Sequence, residues 1–171
     1  NVLLNDYENL VKCNTDEAFN ELISSVIEQC GDYILKKRVI PDSMKFTMSY
    51  HWIENGLFNS ENSSYLSQLL VNKPKFKNKY IVNAAAGNPK VKNEINYENY
   101  KSESSIHYLA ITRFWNLINY YYPYRDIIPK NWNQVYEDNL FSFIEAKNYE
   151  EYYFAIRKLT TELRDGHGFI L

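Results

Sequence analysis

The feature that most constrains this chain is an apolar stripe near its end. Tyr152, Ile156, Leu159 and Leu163 recur at i, i+4, i+7 and i+11. Apolar residues at that spacing share one face of an α-helix, and the face has to be buried. Asn148, with Glu151 three residues on, makes a capping-box start. Asp165-Gly166 makes a stop, with Gly166 suited to a left-handed position after the last turn. Two more helices are expected before this one. Ser104 or Ser105 caps a helix whose stripe is Ile106, Leu109, Ala110, Arg113, Phe114, Leu117, Ile118 and Tyr121, ended by Pro123. Pro129-Lys-Asn-Trp132 opens the other, with Tyr136, Leu140, Phe143 and Ile144 along one face. Three helices joined by short connections pack as a small bundle.

The first half is more mixed. Residues 15–35 carry a helical stripe at Phe19, Leu22, Ile23, Val26 and Ile27, capped by Asn14 or Thr15, with Gly31 either ending the helix or weakening it. Residues 45–52 alternate as a short strand, with Phe46, Met48, Tyr50 and Trp52 on one side. Residues 59–70 read as a helix, and Lys79-Tyr-Ile-Val-Asn83 as another β-prone run. The expected fold is therefore α+β and mostly α. A small N-terminal unit with a short sheet spans residues 1–86, a linker-like polar segment spans 87–104, and a three-helix bundle-like unit spans 105–171.

Hydrophobic residues make up 45% and charged residues 23% of the chain, the balance of a globular domain. A net charge of −2 with scattered Lys and Arg argues against a nucleic-acid partner. The one basic run, Lys73-Pro-Lys-Phe-Lys-Asn-Lys79, reads as a solvated connection. Asn1-Val-Leu-Leu-Asn5 has no basic region or long apolar core, so no signal peptide is expected there. Sixteen tyrosines stand against 5 glycines. A Tyr can bury its ring and keep its hydroxyl wet, so these residues build either a core or an aromatic binding groove. Cys13 and Cys30 match no zinc-ligand spacing; they are free thiols, or a disulfide if the chain is exported.

Catalytic motifs are sparse. No nucleophile elbow, no phosphate-binding glycine loop and no metal-ligand pair occurs. No metal or other cofactor is expected. His51, His107 and His167 are far apart. His51 falls on the strand-like run and His107 at a helix start, and both read as structural. His167 differs: it lies between two glycines at a helix-to-strand switch, where a side chain can project into a cleft and another backbone can come close. A histidine without a nucleophile or an oxyanion site does no acyl chemistry. This chain by itself is therefore not expected to be a complete enzyme.

The stretch of residues 108–170 resembles the helical region that precedes the catalytic core in tail-specific, or C-terminal processing, serine proteases. The tricorn-like members of the Bacteroidetes type are the most similar. The matching marks are Arg-Phe-Trp-Asn at 113–116, Tyr122-Pro-Tyr124, Trp132 and the final Asp165-Gly-His167. Residues 79–94 resemble the linker of the same proteins, and residues 48–58 fit more weakly. The resemblance implies that the peptidase unit continues downstream, with a PDZ-like module and an α/β core that carries the nucleophilic serine. These would be the partners of this region, together with a protein or peptide substrate, in an extracytoplasmic setting. It also implies that His167 is the general base for that serine. The family usually has Ser before this His, where this chain has Gly166. In relatives that use a Ser/Lys pair, the equivalent histidine lines the substrate side instead. The rival expectation is a non-enzymatic module that binds a peptide or glycan through an aromatic surface.

Overall fold

Residues 2–30, 33–37, 39, 50–75, 81–83, 85, 89–93 and 103–166 are described by the computed structural model. Among them are six α-helices: α1 (Val2–Lys12), α2 (Asp16–Cys30), α3 (Ser60–Val71), α4 (Glu103–Tyr121), α5 (Trp132–Ile144) and α6 (Tyr149–Thr161). There are two short antiparallel ribbons. β1 (Tyr33–Lys37) pairs with β2 (Asn72–Pro74), and β3 (Ile81–Asn83) pairs with β4 (Pro89–Val91). The fold is thus α+β and mostly α. The chain divides into two units, Asn1–Ile95 and Asn96–Leu171.

In the first unit, helix α1 was not anticipated; Leu3, Tyr7, Leu10 and Val11 have the spacing, and Tyr7 is buried. Helix α2 starts where Thr15 caps it, its hydroxyl accepting from the Ala18 N–H at 3.2 Å. It stops at Cys30, so Leu35 lies on strand β1 and not on a helix. Helix α3 is capped by Asn59, whose side chain accepts from the Asn62 N–H at 2.8 Å. Between α2 and α3 sits a buried amide network. Asn20 Oδ1 accepts from the Asn59 N–H at 2.7 Å, and Asn62 Nδ2 donates to the Asn20 carbonyl at 3.0 Å. Ser24 donates to Asn62 Oδ1 at 2.9 Å. Each buried amide finds partners, so the polar contact locks the two helices in one register.

The strand expected over residues 45–52 fails at its end: His51–Ile53 is a 3-10 turn, because Ile53 and Glu54 close i→i+3 bonds onto Tyr50 and His51. Residues 45–49 lie outside the described residues. Strand β4 lies within the stretch expected to be linker-like, where Pro89 to Val91 align with Asn83 to Ile81.

The second unit is a three-helix array with one apolar core of Ile111, Ile118, Trp132, Val135, Phe143, Ala155 and Leu159. Helix α5 packs on both α4 and α6. The stripe on α6 is buried as expected, with Leu159 in the core and Tyr152, Ile156 and Leu163 against it. Its main neighbour is α5; α4 touches α6 where His107 stacks on Tyr152, ring centroids 4.1 Å apart. The expected face of α4 is also displaced. Ile111, the most buried side chain, was not on it, while Tyr121 is exposed. Every side chain from residue 104 to 120 is buried or half-buried, so α4 has no polar face to set the phase. Ser104 and Ser105 are inside the helix and do not cap it; Ser104 donates to the Ile144 carbonyl at 2.9 Å and ties the start of α4 to the end of α5.

Candidate functional site at the end of the helical unit

The capping pair of α6 forms, with the return bond one residue before the N-cap of a standard capping box. Asn148 Oδ1 accepts from the Glu151 N–H at 2.9 Å, and Glu151 reaches back to the Lys147 N–H at 2.9 Å. At the other end the helix tightens. Leu163 and Arg164 donate to the carbonyls of Thr160 and Thr161, i→i+3 bonds of 3-10 type. The chain then reverses at Arg164, whose φ is 51°. The left-handed residue is therefore Arg164 and not Gly166. Leu163 packs on the core, and the tightened last turn brings the reversal forward by two residues. A left-handed non-glycine residue costs roughly 1–2 kcal/mol, so its neighbours must hold it there.

Three contacts do so. Leu163 is anchored in the core, and Lys130 Nζ pairs with Glu162 Oε1 at 2.6 Å. The Tyr122 hydroxyl donates to Asp165 Oδ2 at 3.3 Å. The Tyr122 ring packs on the core and meets Tyr124 edge-on, with centroids 5.8 Å apart. Burial first, and the Asp165 carboxylate second, push the Tyr122 phenol above its ordinary value, so at neutral pH it is a donor.

Further into the unit, Trp115 and Trp132 bond reciprocally. The Trp115 indole donates to the Trp132 carbonyl at 3.2 Å, and the Trp132 indole donates to the Trp115 carbonyl at 3.0 Å. Segments far apart in sequence are thus joined: residues 113–116 to Trp132, and the Tyr122 turn to Asp165.

His167 and residues 168–171 lie outside the described residues. His51 is exposed on its 3-10 turn in the first unit, and His107 is half-buried against Tyr152 in the second. Cys13 is a free thiol, donating to the Asn9 carbonyl at 3.3 Å; the Cys30 side chain is outside the described residues. Among the described residues no group of three His, Cys, Asp or Glu could hold a metal, and no helix is long and apolar enough to cross a membrane.

Sequence reasoning missed an aromatic row on the outer side of α6. Tyr149 stacks on Tyr153, Phe154 meets Tyr153 edge-on, and the Arg157 guanidinium lies 5.9 Å from the Tyr153 ring centre. Tyr149 and Phe154 are 79% and 56% exposed, which is uncommon for side chains of this size. The i, i+4, i+8 spacing of Tyr149, Tyr153 and Arg157, along the flank of the buried stripe, was the available signal. Comparison with family models, with curated proteins and with solved structures finds no match to this chain.

Proposed function

We propose that this chain is an N-terminal, cleft-forming region of a tail-specific serine protease, a serine-type endopeptidase, and that it contributes His167 to the active-site cleft. The observation that carries the reading is the held turn at Arg164 and Asp165. The marks of the resemblance are joined by hydrogen bonds in two pairs, Trp115 with Trp132 and, at the turn itself, Tyr122 with Asp165. A general base needs a fixed origin for its side chain. Asp165, tethered by Tyr122, is a positioning residue in this reading. His167 takes the proton of a serine hydroxyl supplied by a downstream α/β core and returns it to the leaving amine. The partners are that core, a PDZ-like module and a protein or peptide substrate. In this reading the nucleophile and the oxyanion donors belong to the downstream core, so this chain alone should not cleave peptides.

The test is His167→Gln in the protein that includes the downstream region. Glutamine keeps polarity and similar size but does not cycle a proton near neutral pH. The expected result is a fall in kcat of about 100-fold or more with unchanged melting. A near-normal kcat removes the histidine from the mechanism and points to a Ser/Lys pair.

The aromatic row on α6 favours a second reading, a non-enzymatic module that binds a peptide or glycan. Stacked exposed rings beside an arginine offer flat faces for such a ligand. Loss of ligand binding in Tyr153→Ala, together with no proteolysis by the extended protein, would favour it.

A further inference from the structure

Asn55-Gly56 lies in the exposed bend between the 3-10 turn at His51–Ile53 and helix α3. Gly56 has φ +87°, and a Cβ built on it meets nothing within 4 Å, so the turn is open on that side. No described residue accepts a hydrogen bond from the Gly56 N–H. The Asn55 side chain is folded back along the chain, its Oδ1 accepting from the Leu57 N–H at 3.2 Å.

We infer that Asn55-Gly56 is a self-modifying site, at which the folded chain converts Asn55 to aspartyl and isoaspartyl forms without an enzyme. The Gly56 backbone nitrogen attacks the side-chain amide carbon of Asn55, forming the new C–N bond of a succinimide. The side-chain amino group leaves as ammonia, carrying the proton lost by the Gly56 nitrogen. Water then opens the ring. Opening at the side-chain carbonyl leaves an aspartyl residue, and opening at the main-chain carbonyl leaves an isoaspartyl linkage. No oxidant or reductant is involved.

Three features of the turn favour the first step. Glycine puts no side chain over the attacking nitrogen. The nitrogen's proton is not engaged by a described acceptor. The Leu57 N–H is already aimed at Oδ1, the atom on which negative charge develops as the nitrogen attacks.

The two products differ in consequence. An aspartyl side chain still accepts from the Leu57 N–H. An isoaspartyl linkage puts an extra methylene into the main chain just before the groups that bond Asn20. These are the Leu57 carbonyl, 3.5 Å from Asn20 Nδ2, and the Asn59 N–H, 2.7 Å from Asn20 Oδ1. The isoaspartyl form should therefore loosen the joint between α2 and α3, whereas the aspartyl form should not.

The experiment is incubation of the 171-residue chain at neutral and mildly alkaline pH, with and without sucrose. Peptide mapping reads the amide-to-acid mass shift, and enzymatic methylation reads isoaspartyl content. Asn55 should convert before any other asparagine, faster as pH rises. Sucrose favours the compact state and should not slow the reaction, because the folded turn is the reactant. Gly56→Ala should slow it, and Asn55→Gln should abolish the shift at this site. If alanine at that φ destabilises the turn, the sucrose comparison still decides the question. Conversion at other asparagines ahead of Asn55, or arrest by sucrose, overturns the inference. Asn55→Asp should melt like the unmodified chain, and the isoaspartyl fraction should melt lower; equal melting of the two overturns the proposed consequence.

Discussion

Asn139 sits at the middle of the inner face of α5 with 1% of its surface exposed. Its Nδ2 donates to the Val135 carbonyl at 2.7 Å, and its Oδ1 meets no donor among the described residues. A buried acceptor left unmet costs about 1–3 kcal/mol. Asn139→Leu keeps the branched side-chain shape, with two methyls in place of the amide oxygen and nitrogen, and removes the acceptor, so thermal melting should move up; a clear fall would show that the amide bonds a buried water or that the site has no room for the methyls. Arg164→Gly should stabilise the chain by about 1 kcal/mol, since glycine takes the left-handed conformation without a Cβ penalty. Urea unfolding measures it, and an unchanged midpoint would mean that Arg164 side-chain contacts offset the strain. Tyr136 shares its hydroxyl with Thr112 at 3.0 Å. Burial, the largest cause, pushes its phenol up from 10.0 to about 12. The folded value exceeds the unfolded one, so the fold favours the neutral phenol. That contribution is complete below pH 10 and is lost as pH rises from 10 to about 12. Tyr136→Phe should flatten this alkaline fall in the urea midpoint.

At the scale of elements, α6 was legible almost to the residue. Its capping pair and its stripe are local, and one side of the helix faces solvent, so the polar-apolar contrast gives the phase directly. Leu159→Ala should cost roughly 2–5 kcal/mol, because Leu159 lies within the core beside Phe143 and Ala155. Asn148→Ala should cost about 1 kcal/mol through loss of the cap. Both are read from chemical unfolding; an unaffected Leu159→Ala would put the stripe on the wrong face. Helix α4 was legible as a helix but not in phase. With both flanks covered, apolar residues such as Leu109 and Ile111 fall on different faces, and spacing cannot say which one meets α5. The turn after α6 was misplaced for a related reason. Gly166 is the residue best suited to a left-handed turn, yet the packing of half-buried Leu163 on the core fixed where the chain could reverse.

For the whole molecule, the buried side chains fall into two sets. Those of the second unit close on themselves: every member of the main core cluster lies between Ile111 and Leu159. A fragment of residues 96–171 should therefore keep its helical circular dichroism and unfold cooperatively. A broad, non-cooperative melt would show that its core depends on residues outside the fragment. The first unit relies more on polar contact, with Asn20, Asn62 and Asn72 buried. Asn62→Leu should destabilise it more than a surface change, because it removes the two bonds by which Asn62 Nδ2 holds Asn20 and the acceptor that Asn62 Oδ1 offers Ser24.

The sequence by itself determined the elements whose signals are local. These are the cap at Asn148 and that at Thr15, one of two residues offered there, the helical character of most segments, and the α-rich class of the fold. Each rests on contacts within a few residues, where side-chain chemistry and backbone geometry suffice. Only the tertiary structure decided which face of α4 is inside, that Trp115 and Trp132 clasp each other, that Tyr122 reaches Asp165, and that Asn20 bridges α2 to α3. Those contacts join residues tens of positions apart. Periodicity gives each helix a face but not its partner, and the partner is chosen by which surfaces exclude water and satisfy buried polar groups together.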